Sequence, residues 1–260
     1  MLRKTKDLKG LRLAARDGEI GRLKDFYFDD QHWTVRYLVA DTRAWLPERK
    51  VLLSPFAVAD IRAEPGKAVE VNLTRNQIEQ SPPIETHMPV SRQFETRYYQ
   101  YYGWPNYWPG PLLWGPVEAP GPYLPAGPLQ DVPAQVPPPG EDSHLRSVEE
   151  MAGFYGYQLQ ALDDAFGHVE QFIIDDKNWA IRYLIADTRT WLPGKRILLS
   201  PQWIAWVSWS EATVYVDFDR ETIRRAPEYD ASAELTPDYE KKLLEHYYRQ
   251  PHRQNRKMAA

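Results

Sequence analysis

The 260-residue chain has no cysteine. That excludes disulfides, thiolate metal sites and thiol nucleophiles together, and it fits a reducing compartment. Long apolar runs are missing too. No stretch approaches the ~20 consecutive apolar residues of a membrane span. The opening MLRKTKDLKGLRLAARDGEIG is charged every few residues and never reaches the apolar run of about seven that a secretion signal needs. These absences lead to the expectation of a soluble, cytoplasmic protein. There is also no excess of positive charge: 32 Lys and Arg face 36 Asp and Glu, a net charge of -4. Such a balance gives no overall attraction to phosphate backbones and disfavours nucleic acid as a partner. The basic residues near the ends, Arg3, Lys4, Arg12 and Arg16 and then Arg249, Arg253, Arg256 and Lys257, read as solvated, frayed termini.

Several chemistries lack their residues. There is no GxSxG elbow, no GxGxxG turn and no GxxxxGKS/T loop. The six histidines show no metal-ligand spacing, and His32 has Asn178 at its matching position. Asp29–Asp30 and Asp175–Asp176 are adjacent carboxylates, which point to opposite faces of a strand and read as hairpin turns, not as an acid–base pair. On this reading there is no catalytic residue, no cofactor and no metal, and the protein is not an enzyme.

What is present is repetition. At an offset of 146 residues, Gly21–Pro55 and Gly167–Pro201 share 19 of 35 residues without a gap, including WTVRYLVADTRAWLP against WAIRYLIADTRTWLP. Within each copy the pattern is β. Strands are expected over Ile20–Asp29, Trp33–Ala40, Lys50–Leu53, Val58–Ala63 and Val69–Leu73, and over Phe166–Asp175, Trp179–Ala186, Arg196–Leu199, Ile204–Trp209 and Thr213–Phe218. Five short strands with close turns favour a small barrel.

Each copy then ends in a helix, capped at Ser91 or Thr236 with Pro237 at the first position. Its apolar stripe is Phe94, Tyr98, Tyr101 and Tyr102 in one copy and Tyr239, Leu243 and Tyr247 in the other. Between the copies, Gly103–Gly140 holds 12 of the 23 prolines. Its first part is dense in Trp and Tyr, so it is expected to lie on a domain surface up to about Leu113, with the remainder mobile. The division is therefore 1–102, first barrel and helix; 103–143, proline- and aromatic-rich linker; 144–260, second barrel and helix.

GEIGRLKDFYFDDQHWTVRYLVADT resembles the PRC-barrel family, the fold of the photosynthetic reaction-centre H subunit and of the C-terminal domain of the ribosome maturation factor RimM. Gly21, the Asp29–Asp30 turn and the strand Val35–Ala40 carry the likeness, and Gly167, Asp175–Asp176 and Ile181–Ala186 repeat it. It implies a mainly β protein with appended helices, two small PRC-type β-barrels related by internal duplication. It also implies two roles besides that of a scaffold: an electron-transfer accessory factor like the H subunit, or a RimM-like ribosome-associated factor.

Along the repeated strand, Trp33, Val35, Tyr37 and Val39 form one face and are expected in the core. The other face, Thr34, Arg36, Leu38 and Ala40, is half apolar, as are Ala180, Arg182, Leu184 and Ala186, so something should cover it. The expected cover is packing of barrel against barrel, or of a helix. In ADTRxWLP, Asp41 and Asp187 serve a turn. The residues suited to contact a protein partner are Arg36, Leu38, Arg43, Trp45, Arg182, Leu184, Arg189, Trp191, Tyr101, Tyr102, Trp104 and Trp108, because Trp, Tyr and Arg dominate binding energy at interfaces. A membrane surface is the weaker alternative, since the first helix offers only Arg92 and Arg97 on its polar side. The best reading is a non-enzymatic scaffold or adaptor acting through protein–protein contact.

Overall fold

The structure is a computed structural model, and it describes residues 1–42, 45–46, 49–62, 66–85, 90–121, 144–153, 156–188 and 195–248. The chain opens with β1 (Leu2–Lys4) and α1 (Thr5–Leu8), followed by β2 (Arg12–Ala15), β3 (Gly18–Asp29), β4 (Thr34–Asp41) and β5 (Arg49–Leu53). A 3-10 turn, Pro55–Ala57, leads into β6 (Val58–Arg62), β7 (Ala68–Val71), α2 (Arg75–Glu79), β8 (Ile84–Glu85) and α3 (Arg92–Tyr102). The second half runs β9 (Leu145–Ser147), α4 (Val148–Met151), β10 (Gln158–Gln160), β11 (Ala165–Asp175), β12 (Ile181–Asp187) and β13 (Arg196–Leu199). It ends with β14 (Ile204–Ser208), β15 (Thr213–Val216), α5 (Arg220–Arg225) and α6 (Pro237–Tyr248). The protein is mainly β with a few helices.

Two compact units result. Unit 1 comprises Met1, Lys6–Val148 and Asp175–Ala180; unit 2 comprises Leu2–Thr5, Glu149–Ile174 and Ile181–Ala260. The sheet of unit 1 runs β6-β7-β2-β3-β4-β5-β8, with β9 also paired to β3. That of unit 2 runs β14-β15-β10-β11-β12-β13, with β1 paired to β11. Both sheets are mixed, because β2 runs parallel to β7 and β10 parallel to β15 while the other ladders are antiparallel. Among the described residues no ladder joins β6 to β5 or β14 to β13, so each is described as an open sheet.

The membership of the units corrects the division at residues 102 and 143. Residues 144–148 belong to unit 1, because Leu145–Ser147 hydrogen-bonds along β3 with Tyr27 opposite Ser147 and Asp29 opposite Leu145. Ser147 Oγ donates to buried Asp25 Oδ2 at 2.6 Å, and Arg146 Nε donates to Asp30 Oδ2 at 2.8 Å. Leu2–Thr5 belongs to unit 2, where Thr5 Oγ1 donates to Phe172 O at 3.3 Å. The N-terminal stretch is thus strand, not frayed chain: its period-two signal is too short to read, and its pairing partner lies about 170 residues away.

The aromatic part of the interdomain segment, described from Gly103 to Gly121, belongs to unit 1, where Tyr107 and Trp114 are buried. Of the part expected to be mobile, beyond about Leu113, residues 114–121 are described and are anchored by fully buried Trp114, while 122–143 lies outside the described residues.

β4 is buried on both faces: Thr34, Val35, Arg36, Tyr37, Leu38, Val39 and Ala40 are all buried, the first five completely. Leu184 and Ala186 on β12 are buried too. The half-apolar second face is therefore covered, as its composition requires. The hairpin after Asp29 closes with Trp33 at φ 50°, and that after Asp175 with Trp179 at φ 62°, a left-handed conformation that a bulky residue adopts at a cost. Asp29 Oδ1 offsets part of it by accepting from the Gln31 and His32 amides, and Asp175 Oδ1 accepts from Lys177.

Gly21 (φ +136°) and Gly167 (φ +153°) are each pressed against a neighbouring strand. A Cβ there would lie 2.0 Å from Asp41 O or 2.1 Å from Asp187 O. Gly21→Ala or Gly167→Ala is expected to lower unfolding free energy by roughly 2–4 kcal/mol through combined clash and backbone strain. Chemical denaturation of each variant against the parent measures it, and a loss below about 0.5 kcal/mol would contradict the close approach.

Candidate functional site

Unit 1 contains a buried polar cluster that begins with Arg36 on β4. Its side chain is 0% exposed. Asp29, at the end of β3, lies beside it because the two strands are antiparallel neighbours, and Arg36 Nη2 donates to Asp29 Oδ2 at 3.0 Å. Burial pushes the Asp29 carboxyl up, but the Arg36 charge and the hydrogen bonds from His32 and the Gln31 amide outweigh it and hold the group below its ordinary value. Asp29 therefore stays ionised beside its guanidinium. The turn role expected for Asp29 is met, and a second role is added to it.

The segment after α3 folds over this pair. Gly103, with φ 68°, ends the helix in the left-handed conformation and turns the chain back. Tyr107 and Trp114 then bring their rings to 4.0 and 4.7 Å from the Arg36 guanidinium carbon, and Arg36 Nη1 donates to Leu113 O at 2.8 Å. Trp114 Nε1 donates in turn to Asn178 O at 2.8 Å. Arginine suits the position: its planar, weakly hydrated cation can pair with a carboxylate and stack on rings at once.

A second carboxylate faces the first cluster from α3. Glu95 Oε1 accepts from Tyr107 Oη at 2.7 Å and from Tyr37 Oη at 3.1 Å, and Glu95 Oε2 accepts from Arg92 Nη1 at 3.0 Å. Burial dominates, raising the Glu95 carboxyl to about 7 against the opposing pull of Arg92, the two tyrosines and Arg36. Burial likewise pushes the Tyr37 and Tyr107 hydroxyls up, so both remain donors. Nearby, Tyr98 Oη donates to Leu52 O at 2.9 Å and accepts from the Ser54 amide at 3.1 Å, while Tyr99 and Ser54 share a hydrogen bond of 3.2 Å. The arrangement can hold charge and fix the aromatic segment. Among the described residues no group of three or more His, Asp or Glu could hold a metal ion.

Unit 2 repeats one part of this arrangement. Tyr183 Oη donates to Glu240 Oε1 at 2.8 Å, as Tyr37 does to Glu95. The rest differs: Arg182 is exposed where Arg36 is enclosed.

The residues expected to face a partner divide accordingly. Arg36, Leu38 and Leu184 are fully buried and so cannot meet one, a correction that follows from β4 and β12 being covered on both faces. Trp45 is half-buried with the Arg75 guanidinium 4.7 Å from its ring. Arg182 is exposed. Tyr101 is 40% exposed, and Tyr102, Trp104 and Trp108 are half-buried. Arg43, Arg189 and Trp191 lie outside the described residues. The inner face of α3 is rotated from the expected stripe: Phe94, Glu95, Tyr98 and Tyr99 are buried, and Tyr101 points out. Glu95 escaped notice because a carboxylate on an aromatic helix reads as its solvated side. The available signal was that Tyr37 with Glu95 and Tyr183 with Glu240 are kept in both copies.

No protein-family model and no curated protein sequence matches this chain.

Two measurements check the cluster. Arg36→Met removes the cation and leaves buried Asp29 without its guanidinium partner, and is expected to cost about 3–5 kcal/mol. It should also raise the exposure of Trp114, read as a red shift in tryptophan emission. Glu95 has its carboxyl raised from 4.5 to about 7 on folding, so the folded state holds its proton while the unfolded state has released it. Stability from this group is thus fully present below about pH 4.5 and lost as pH rises to about 7, by roughly 3 kcal/mol in total. Glu95→Gln is expected to flatten the slope over pH 5–7 in urea titrations; an unchanged slope would assign it to another group.

Proposed function

We propose that the protein is a non-enzymatic scaffold: two PRC-type barrels, produced by internal duplication, the first of which presents an aromatic strap to a protein partner. Three features support the duplicated barrel. The two sheets have the same strand order, Gly21 and Gly167 make the same close approach, and the Tyr–Glu pair recurs.

One observation carries the partner-binding reading. Along α3 and the strap, Tyr101 (40% exposed), Tyr102, Trp104, Trp108 and Leu112 (41% exposed) form a run of large apolar side chains held at partial exposure. They are held firmly. Tyr102 stacks on Trp104 with ring centroids 4.5 Å apart, and Arg92 lies 4.5 Å from the Trp108 ring. Rigid aromatic rings lose little conformational freedom on binding, which is what an interface anchor requires. The polar cluster beneath is spent on fixing the strap: Tyr107, Leu113 and Trp114 all end on Arg36 or Glu95.

Tagged full-length protein, captured from its native cells at endogenous level, is expected to bring down a protein partner. The double variant Tyr101→Ala/Trp108→Ala should lower recovery of that partner by about tenfold or more, since two anchor rings commonly supply over 1.4 kcal/mol. Retention of the partner by the double variant would rule out the strap as its docking site.

A further inference from the structure

The two units differ at one edge of their sheets. β6 ends the sheet of unit 1 and β14 ends that of unit 2. A terminal strand offers its outer edge to another strand, and natural proteins guard such edges with charge. β6 is guarded. Asp60 and Arg62 are more than half exposed, and Arg62 Nη2 lies 2.7 Å from Glu70 Oε1 on the adjoining β7, where Glu70 sits opposite Asp60.

In unit 2 the matching positions have lost every one of these charges. Trp206 stands for Asp60, Ser208 for Arg62 and Tyr215 for Glu70, with Trp206 opposite Tyr215 in the same register. The two rings stack with centroids 4.0 Å apart at 6°, and Trp206 remains 52% exposed. Tyr215 Oη donates to Glu211 Oε2 at 3.3 Å, which leaves the pair a single polar anchor at one end. The strand itself, IAWVS, carries no ionisable side chain.

We propose that β14 pairs edge to edge with β14 of a second copy of this chain, antiparallel about a two-fold axis at Trp206. Charge selects this occupant. Pairing centred on the middle residue sets Trp206 against Trp206 of the other copy, with no ion to desolvate and no like charges opposed. The same pairing of β6 would set Asp60 against Asp60 and strip water from three ionised groups. A bulge at Ala205 bends the strand and keeps the ladder short, so the tryptophans carry much of the affinity and the dimer is a weak, concentration-dependent one.

Sedimentation velocity of the full chain over a wide concentration series is the test. The parent is expected to pass from monomer to dimer with rising concentration. Trp206→Asp, which installs the residue type found in β6, should raise the dissociation constant by about tenfold or more. Trp206→Lys should do the same, and because Trp206 is half exposed both variants should keep the parent's circular dichroism, with at most a small fall in melting temperature from the lost stacking on Tyr215. A parent that stays monomeric throughout overturns the proposal. So does a dimer of unchanged strength in both variants, which would place the contact elsewhere, as would pairing only with a strand of a different protein.

Discussion

The Arg36–Asp29 ion pair is the interaction on which unit 1 depends. A guanidinium with no exposed surface costs several kcal/mol to desolvate, and a lone carboxylate cannot offset that unless other groups share the charge. Here they do. Tyr107 and Trp114 offer their ring faces, the Leu113 carbonyl takes one Nη proton, and Asp29 is itself held by the His32 ring and two turn amides. The contributors come from three stretches of chain: the hairpin turn at Asp29, β4 and the strap. The ion pair therefore fixes a hairpin, a central strand and a proline-rich segment relative to one another.

The same device explains how a segment rich in proline becomes ordered. Proline removes backbone donors, so such a chain joins sheet ladders poorly and leans on side-chain anchors. The strap has three kinds: rings on a cation, a carbonyl on that cation, and a phenol on the second carboxylate. Unit 2 retains the Tyr–Glu pair without an enclosed arginine, which shows that the phenol–carboxylate bond belongs to the seating of the helix on the sheet. The arginine cage is an addition on one side only.

Much of the fold was legible in the chain. The strands of the repeated segment were readable because both copies show period-two apolar positions, and the helix caps at Ser91 and Thr236 are met by the amides of Phe94 and Tyr239. The short strands β1, β2, β9 and β10 were not, since three or four residues carry too little periodicity and their partners are distant. The candidate site was legible only in part. Trp and Tyr density marked the strap, but Arg36 looks like a surface residue by type, and only three-dimensional enclosure reveals it as the centre. Glu95 was hidden for the same reason. Trp206 and Tyr215 sit nine positions apart across a turn, so their stacking depends on a register that sequence alone does not supply.

The placement of β9 and β1 sets an order on synthesis. The sheet of unit 1 takes one of its strands from Leu145–Ser147, so when a ribosome has released every residue up to the end of the strap, β3 still lacks that neighbour. Strand β1 must likewise wait for β11. Contacts of such sequence separation close slowly. During translation β1 and the last residues of β3 stay without these partners for as long as the intervening hundred or more residues take to emerge, which makes elongation speed, and any chaperone that shields strand edges, a determinant of yield.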